Sequence, residues 1–318
     1  MDLNPFTQPI LVAGSGRLAA SLGVCLLQAG HEVYFFNETG EDISSLIDQH
    51  LSDVQEFTGQ TVSSRGLTLI HHPEEAGNHE LAIVLTEEDV PEKTRMLEQL
   101  ERCLPEEALI AINMESMSLD TLQCYARHPG RIIGANWTEP VHTTCFLEII
   151  SNQHTHEPLA ARFYQAALAY WGKDPYFLKG GRGIRTRMMC ALIREALYLV
   201  EHDYVTVEDI DRACRNDPGY YLPFAGNFRY MDMMGGYMYG VVMQDLNPEL
   251  STSTHIPVFC EPLLKEGAGM TAGRGFYTYQ PGEAEQWETA FRRFSYRIRQ
   301  LMDRYPFKYL EQETAVNT

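Results

Sequence analysis

The sequence predicts an α/β chain, with a doubly wound parallel sheet first and an all-helical region after it. Three observations lead there. Short apolar runs at 10–13, 33–36, 67–70, 81–85 and 108–112 are separated by helix-length segments, the βαβ pattern of a parallel sheet. A glycine turn, Gly14-Ser15-Gly16, stands where the first run gives way to a helical pattern. Beyond about Gly180 the strand signal stops, and apolar residues recur at helical spacing instead.

Ile10 to Ala13 forms the first strand, and Leu18, Leu22, Cys25 and Leu26 the buried face of the helix that follows. Gly30 closes that helix, and Val33 to Phe36 makes the second strand. This order of parts is that of a Rossmann dinucleotide-binding domain. Gly14 permits the tight turn, Gly16 lets backbone approach a pyrophosphate, and Ala19 stands small at the third glycine position. Arg17 and Leu18 open the helix, whose N-terminal N–H groups face the phosphates. Asn37, at the end of the second strand, is set to bind the adenosine ribose 2′-hydroxyl. Glu38, Glu41 and Asp42 would repel a 2′-phosphate, so the expected cofactor is NAD.

A helix with Ile43, Ile47, Leu51 and Val54 on one side follows, then the remaining strands. Phe163 to Trp171 is helical, Pro175 to Leu178 is the last strand, and Lys179-Gly180-Gly181 is an interdomain hinge. The expected domains are therefore 1–180, binding NAD, and 181–318, helical, for substrate and dimerisation. Met188, Leu192, Ala196 and Leu199 mark the first helix of the second domain, and Thr206 to Asp209 carries an N-cap signature. The Met- and Tyr-rich stretch 231–243 reads as two helices kinked at Gly235-Gly236, their side chains packing a core. A glycine-rich loop at 267–275 and an amphipathic helix bearing Trp287, Phe291, Phe294, Ile298 and Met302 precede a disordered tail.

With 43 acidic against 25 basic residues and a net charge of −18, the 318-residue chain suits neither nucleic acid nor an anionic membrane. Seven cysteines without a CxxC pair point to free thiols in a reducing compartment. Neither a signal peptide nor a membrane span is expected, which makes the cytoplasm the default. The doublets at His71-His72 and His154/His156 lack acidic or thiol partners at ligand spacing, so no metal is expected.

The segments GSGRLA, VLTEEDVPEK, AINMES, IIGANWTEPVHTTCFLEII, REALYLVEHDYVTVEDID, YLPFAGNFRYMD and GRGFYTY, in this order, carry a resemblance. Over nearly its whole length the chain resembles the L-3-hydroxyacyl-CoA dehydrogenases and their 3-hydroxybutyryl-CoA relatives. The resemblance implies reversible hydride transfer between NAD and the 3-hydroxyl carbon of an acyl-CoA, a place in fatty acid metabolism, and a homodimer. It also implies a His as general base, a Glu twelve residues on to orient it, and a Ser and an Asn at the reacting oxygen.

Carried over by position, the His falls on Asn136, while the orienting Glu is kept as Glu148. Asn113 is kept, but the Ser position holds Glu115 and the Asn position holds Thr186. Glu88 and Lys93 match on the cofactor side. An amide is no base near neutrality, so the proton must be handled elsewhere. Glu115 is the first candidate and His142 the other, with Glu115, Glu139 and Glu148 expected to crowd one pocket and perturb one another. Two readings stay open: a dehydrogenase of the 3-hydroxyacyl-CoA type with a substituted site, or a catalytically inactive NAD-binding relative acting as sensor or partner. A dehydrogenase for a cationic hydroxy acid is a third.

Overall fold

The computed structural model describes residues 5–37, 43–260 and 269–307. The acidic turn after Asn37, the start of the glycine-rich loop at 267 and the tail from 308 lie outside these residues. The described chain divides into two compact units, Met1–Arg187 and Met188–Thr318, with the division inside one helix.

The first unit holds eight strands, β1 (Ile10–Gly14), β2 (Val33–Phe36), β3 (Leu67–Ile70), β4 (Leu81–Leu85), β5 (Leu109–Ile112), β6 (Ile132–Trp137), β7 (Phe146–Ser151) and β8 (Asp174–Lys179). Helices α1 (Gly16–Gln28), α2 (Ser44–Thr58), α3 (Val90–Cys103), α4 (Leu119–Gln123) and α5 (Glu157–Ala169) connect or cover them. The sheet order is β3-β2-β1-β4-β5-β6-β7-β8. From β1 the chain first builds outward through β2 and β3, then returns to build the other way from β4. That reversal leaves a crevice at the carboxyl ends of β1 and β4, where open α/β sheets bind ligands. The central strands are apolar on both faces because helices cover both, and β1, β4 and β5 are almost wholly buried.

Each sheet pairing among the described residues is parallel except one. β6 and β7 are antiparallel, with Asn136 directly opposite Glu148. A parallel sheet was the expectation. The short 138–145 connection cannot cross over, so it returns the chain as a hairpin. β8 then pairs parallel with β7 and sets Tyr176 beside Glu148.

The second unit takes in most of α6 (Arg185–Glu201), then α7 (Val207–Asn216), α8 (Pro218–Met234), α9 (Gly236–Leu246) and α10 (Glu283–Arg304). Thr206 and Asp209 form the anticipated capping box on α7. The kink falls at Gly235, between α8 and α9, as the sequence suggested. The core packing expected of 231–243 is not found. Met233, Met234, Tyr237 and Met238 are 59%, 60%, 82% and 59% exposed. Among the described residues of this unit the buried hydrophobics are Ala225, Cys260, Ala284 and Tyr296, too few for a core of its own. Phe294, Ile298 and Met302 of α10 do line a cavity together with Tyr221 and Phe224 of α8.

Candidate active site

The glycine turn is built as the sequence requires. A Cβ on Gly14 would fall 2.2 Å from the Leu85 carbonyl oxygen, so only glycine lets β1 and β4 pair this closely at their ends. Gly16 has φ +74°, a conformation that disfavours side chains, and open space lies where its Cβ would be. Ser15 precedes α1 in extended conformation and makes no side-chain cap, which leaves the first helical N–H groups available. Beside them is a cavity of about 350 Å³ lined by Gly14, Leu18, Asn37, Thr86, Arg95 and Asn113. These parts fit a dinucleotide: α1 would hold the pyrophosphate and Asn37 a ribose hydroxyl. Arg17 turns to Glu139, Nε to Oε1 3.0 Å.

Behind the cavity the strand ends are laced together. Lys93, fully buried on α3, donates from Nζ to Asn113 Oδ1 (2.9 Å) and to the hydroxyl and carbonyl of Thr86 (3.2 and 3.3 Å). Asn113 closes the join, accepting from the Thr86 N–H at 3.0 Å and donating to its carbonyl at 2.8 Å. Burial pulls the Lys93 pKa down, and the Glu88 carboxylate 3.6 Å away opposes that pull. Glu88 accepts from the N–H groups of Glu115, Ser116 and Met117 at 2.9, 2.7 and 3.2 Å. Burial alone would raise its pKa, but those N–H groups and Lys93 bring it below the usual value. Glu88, Lys93 and Asn113 thus shape the loops after β4 and β5. Thr86, not among the site residues expected from the sequence, is the common partner of Lys93 and Asn113.

Asn136 and Glu148 come together as the register dictates. Asn136 Nδ2 donates to Glu148 Oε2 at 3.1 Å and to the Met114 carbonyl at 2.7 Å, while Oδ1 accepts the Met114 N–H at 2.8 Å. Both amide protons are therefore spent inside the protein. Glu148 Oε1 accepts from the Tyr176 hydroxyl (2.9 Å) and the backbone N–H groups of Ile184 (3.1 Å) and Arg185 (2.9 Å), so it caps the start of α6. Burial, then the bond to Glu148, raises the Tyr176 phenol and keeps it protonated. Gly183 closes the pair from above: a Cβ there would lie 2.8 Å from Glu148 Oε2 and 3.0 Å from Asn136 Nδ2. Asn136 is 1% exposed and Glu148 wholly buried.

Glu115 and Thr186 also meet. Thr186 Oγ1 donates to Glu115 Oε2, and Arg185 Nη1 donates to Glu115 Oε1 at 2.8 Å. The side chains of Arg185 and Glu115 stay about a third exposed. Of the three carboxylates expected to crowd one pocket, Glu139 pairs with Arg17, while Glu115 and Glu148 share Arg185, Glu115 through its guanidinium and Glu148 through its backbone N–H. His142 is placed elsewhere. Its ring packs 4.8 Å from that of His50 on α2. Burial, then the neighbouring His50 and Lys173, pushes its pKa to about 3, which keeps the ring neutral. Tyr176 and Gly183 were missed from sequence because only the strand register and the chain path after β8 bring them to Glu148.

Among the described residues, no cluster of His, Cys, Asp or Glu could hold a metal ion, and no helix is long and apolar enough to cross a membrane. The cysteines at 103, 124, 190, 214 and 260 are free thiols, and the Cys25 thiol donates to the Trp171 carbonyl at 3.4 Å.

Sheet order, glycine turn and cavity define a dinucleotide-binding fold. Residues 9–179 match the family model for the NAD-binding domain of 3-hydroxyacyl-CoA dehydrogenase, and 184–279 match that for its C-terminal domain. The chain belongs to the 3-hydroxyacyl-CoA dehydrogenase family, a family of NAD-dependent dehydrogenases, and its cofactor is NAD. It is 22% identical over 307 residues to the 5-formyl-3-hydroxy-2-methylpyridine 4-carboxylate 5-dehydrogenase of Mesorhizobium japonicum, covering 92% of this chain and 98% of that one. It is 24% identical over 291 residues to the 3-hydroxybutyryl-CoA dehydrogenase of Mycobacterium tuberculosis, covering 86% and 98%. A solved structure of a 5-formyl-3-hydroxy-2-methylpyridine 4-carboxylic acid 5-dehydrogenase superposes with a TM-score of 0.85 at 20% identity, covering 93% and 98%. Likeness at that identity shows the fold.

Proposed function

We propose that the protein oxidises and reduces a substrate at a 3-hydroxyl carbon, on an acyl-CoA or a small 3-hydroxy acid, without the imidazole its family uses. Bound NAD supplies the hydride acceptor. The protein's part is to hold the dinucleotide with Gly14, Gly16, Arg17, Leu18 and Asn37. Glu88, Lys93 and Asn113 fix the strand ends, and Glu115 takes the proton, with Thr186 beside it. The observation that carries this reading is the partly exposed Glu115 cluster, which lies directly after the strand end that Asn113 and Asn136 fix. The domain assignment follows: 1–180 for NAD, and 181–318 for substrate and dimerisation. The exposed apolar side chains of the second unit support a homodimer. A role in fatty acid metabolism and a cytoplasmic site complete the proposal.

One observation favours the second reading, an NAD-binding relative without turnover. The Asn136 amide protons and the Glu148 carboxylate are saturated by protein partners and sealed under Gly183. The test is NADH oxidation against a panel of 3-oxoacyl-CoAs and 3-oxo acids, with NADH affinity measured by calorimetry in parallel. Turnover with any of them supports the dehydrogenase. Tight NADH binding with none turned over supports the sensor or partner protein.

A further inference from the structure

The buried pair and the exposed cluster are one closed ring of contacts. Asn136 bonds both the N–H and the carbonyl of Met114, the residue before Glu115. Glu148 bonds the N–H of Arg185, the residue before Thr186. Asn136 and Glu148 bond each other, and Thr186 bonds Glu115. The positions that the family resemblance assigns to base and orienter thus fix the backbone on either side of a new carboxylate–hydroxyl contact. Of the ring's side chains, Asn136 and Glu148 are sealed, while Glu115, Arg185 and Thr186 retain access to solvent.

We infer that the substrate proton travels through Thr186 Oγ1 to the Glu115 carboxylate, with Arg185 holding that carboxylate and the Asn136–Glu148 pair positioning both halves of the relay. The inference rests on the dehydrogenase reading above. Thr186 already donates to Glu115 Oε2, and Arg185 occupies Oε1, so the carboxylate is oriented with its proton-accepting oxygen toward the hydroxyl. In the oxidative direction the substrate O–H gives its proton to Thr186 Oγ1 as the Thr186 proton passes to Glu115 Oε2. With NAD bound, the nicotinamide would accept the hydride of the hydroxyl carbon, whose oxygen becomes the carbonyl oxygen. One proton rests on Glu115 and two electrons leave with the cofactor, so the step balances. Other charged groups near the carboxylate have separate duties. Lys93 and Glu88 bind the strand ends, and Arg182 donates to the Ser116 carbonyl.

The relay is tested with Glu115→Gln, Thr186→Val and Thr186→Ser, each assayed for NADH-driven reduction of a panel of 3-oxoacyl-CoAs and 3-oxo acids. NADH affinity by fluorescence and the thermal midpoint are measured on the same samples. Loss of a positioned proton carrier lowers turnover by roughly 10² or more, so Glu115→Gln and Thr186→Val are expected to fall that far. NADH affinity and midpoint should stay near native, and Thr186→Ser should recover at least about tenfold of what Thr186→Val loses. If Thr186→Val or Glu115→Gln keeps native turnover, or the serine variant is as slow as the valine one, the relay is wrong while the dehydrogenase stands. If the native protein binds NADH and turns over none of the panel, the dehydrogenase reading falls and the relay with it.

Discussion

Asn136 shows how one side chain can leave chemistry and enter architecture. A neutral amide has two donor protons and an acceptor oxygen, and here all of them serve Met114 and Glu148. Restoring the imidazole is therefore expected to fail as a repair. Asn136→His would strip the paired bonds from a buried N–H and C=O. It would also put a larger ring under Gly183, where even a Cβ would come within 3.0 Å of the present amide. An orphaned buried polar group costs about 1–3 kcal/mol. The expected result is a lower denaturation midpoint and no rise in NADH-dependent turnover. A gain in turnover would mean that the amide had only been filling a vacant catalytic position.

At the scale of elements, the join between α2 and the β6–β7 hairpin carries a pH dependence. His142 sits in the hairpin against His50 of α2, and Lys173 donates to the carbonyls of Val141 and Thr144 in the same hairpin. The His142 pKa falls from 6.5 to about 3 in the folded chain, and that of His31 to about 4, both chiefly by burial. Since the unfolded chain binds these protons more readily, protonation favours unfolding. Their contribution is full above pH 6.5 and is lost progressively as pH falls toward about 3. Denaturant unfolding should show stability declining across that window, and His142→Phe should flatten the decline. An unchanged slope in that variant would assign the acid sensitivity to other groups.

For the molecule as a whole, the second unit poses the question of what covers it. Leu192 on α6, Phe228 on α8 and Phe294 on α10 are 57%, 79% and 57% exposed. Large apolar side chains left this exposed on three helices point to an interface, and a symmetric second copy is the commonest way to bury one. Sedimentation equilibrium is expected to return twice the chain mass. Leu192→Glu distinguishes the cases: on a free surface it would change stability by no more than about 0.5 kcal/mol, whereas in an interface it should release monomer. A native monomer in sedimentation would refute the proposed homodimer.

The sequence by itself determined the Rossmann unit, its glycine turn and the helical second half, because these depend on local periodicity and on residue types that a turn or strand demands, whereas the family was carried by the resemblance of its ordered segments. Gly14 and Gly16 were legible because only glycine meets the backbone geometry at those two points. The resemblance also named Asn136, Glu148, Glu115 and Thr186 by their places along the chain. Which of these would touch was decided by the tertiary structure alone. The antiparallel β6–β7 register brought Glu148 to Asn136, and the path of the chain after β8 sealed that pair beneath Gly183 and delivered Arg185 and Thr186 to Glu115. The same long-range geometry paired Glu139 with Arg17, joined Glu115 and Glu148 through Arg185, and buried His142 beside His50, since the partners of a charged group are set by contacts far apart in sequence.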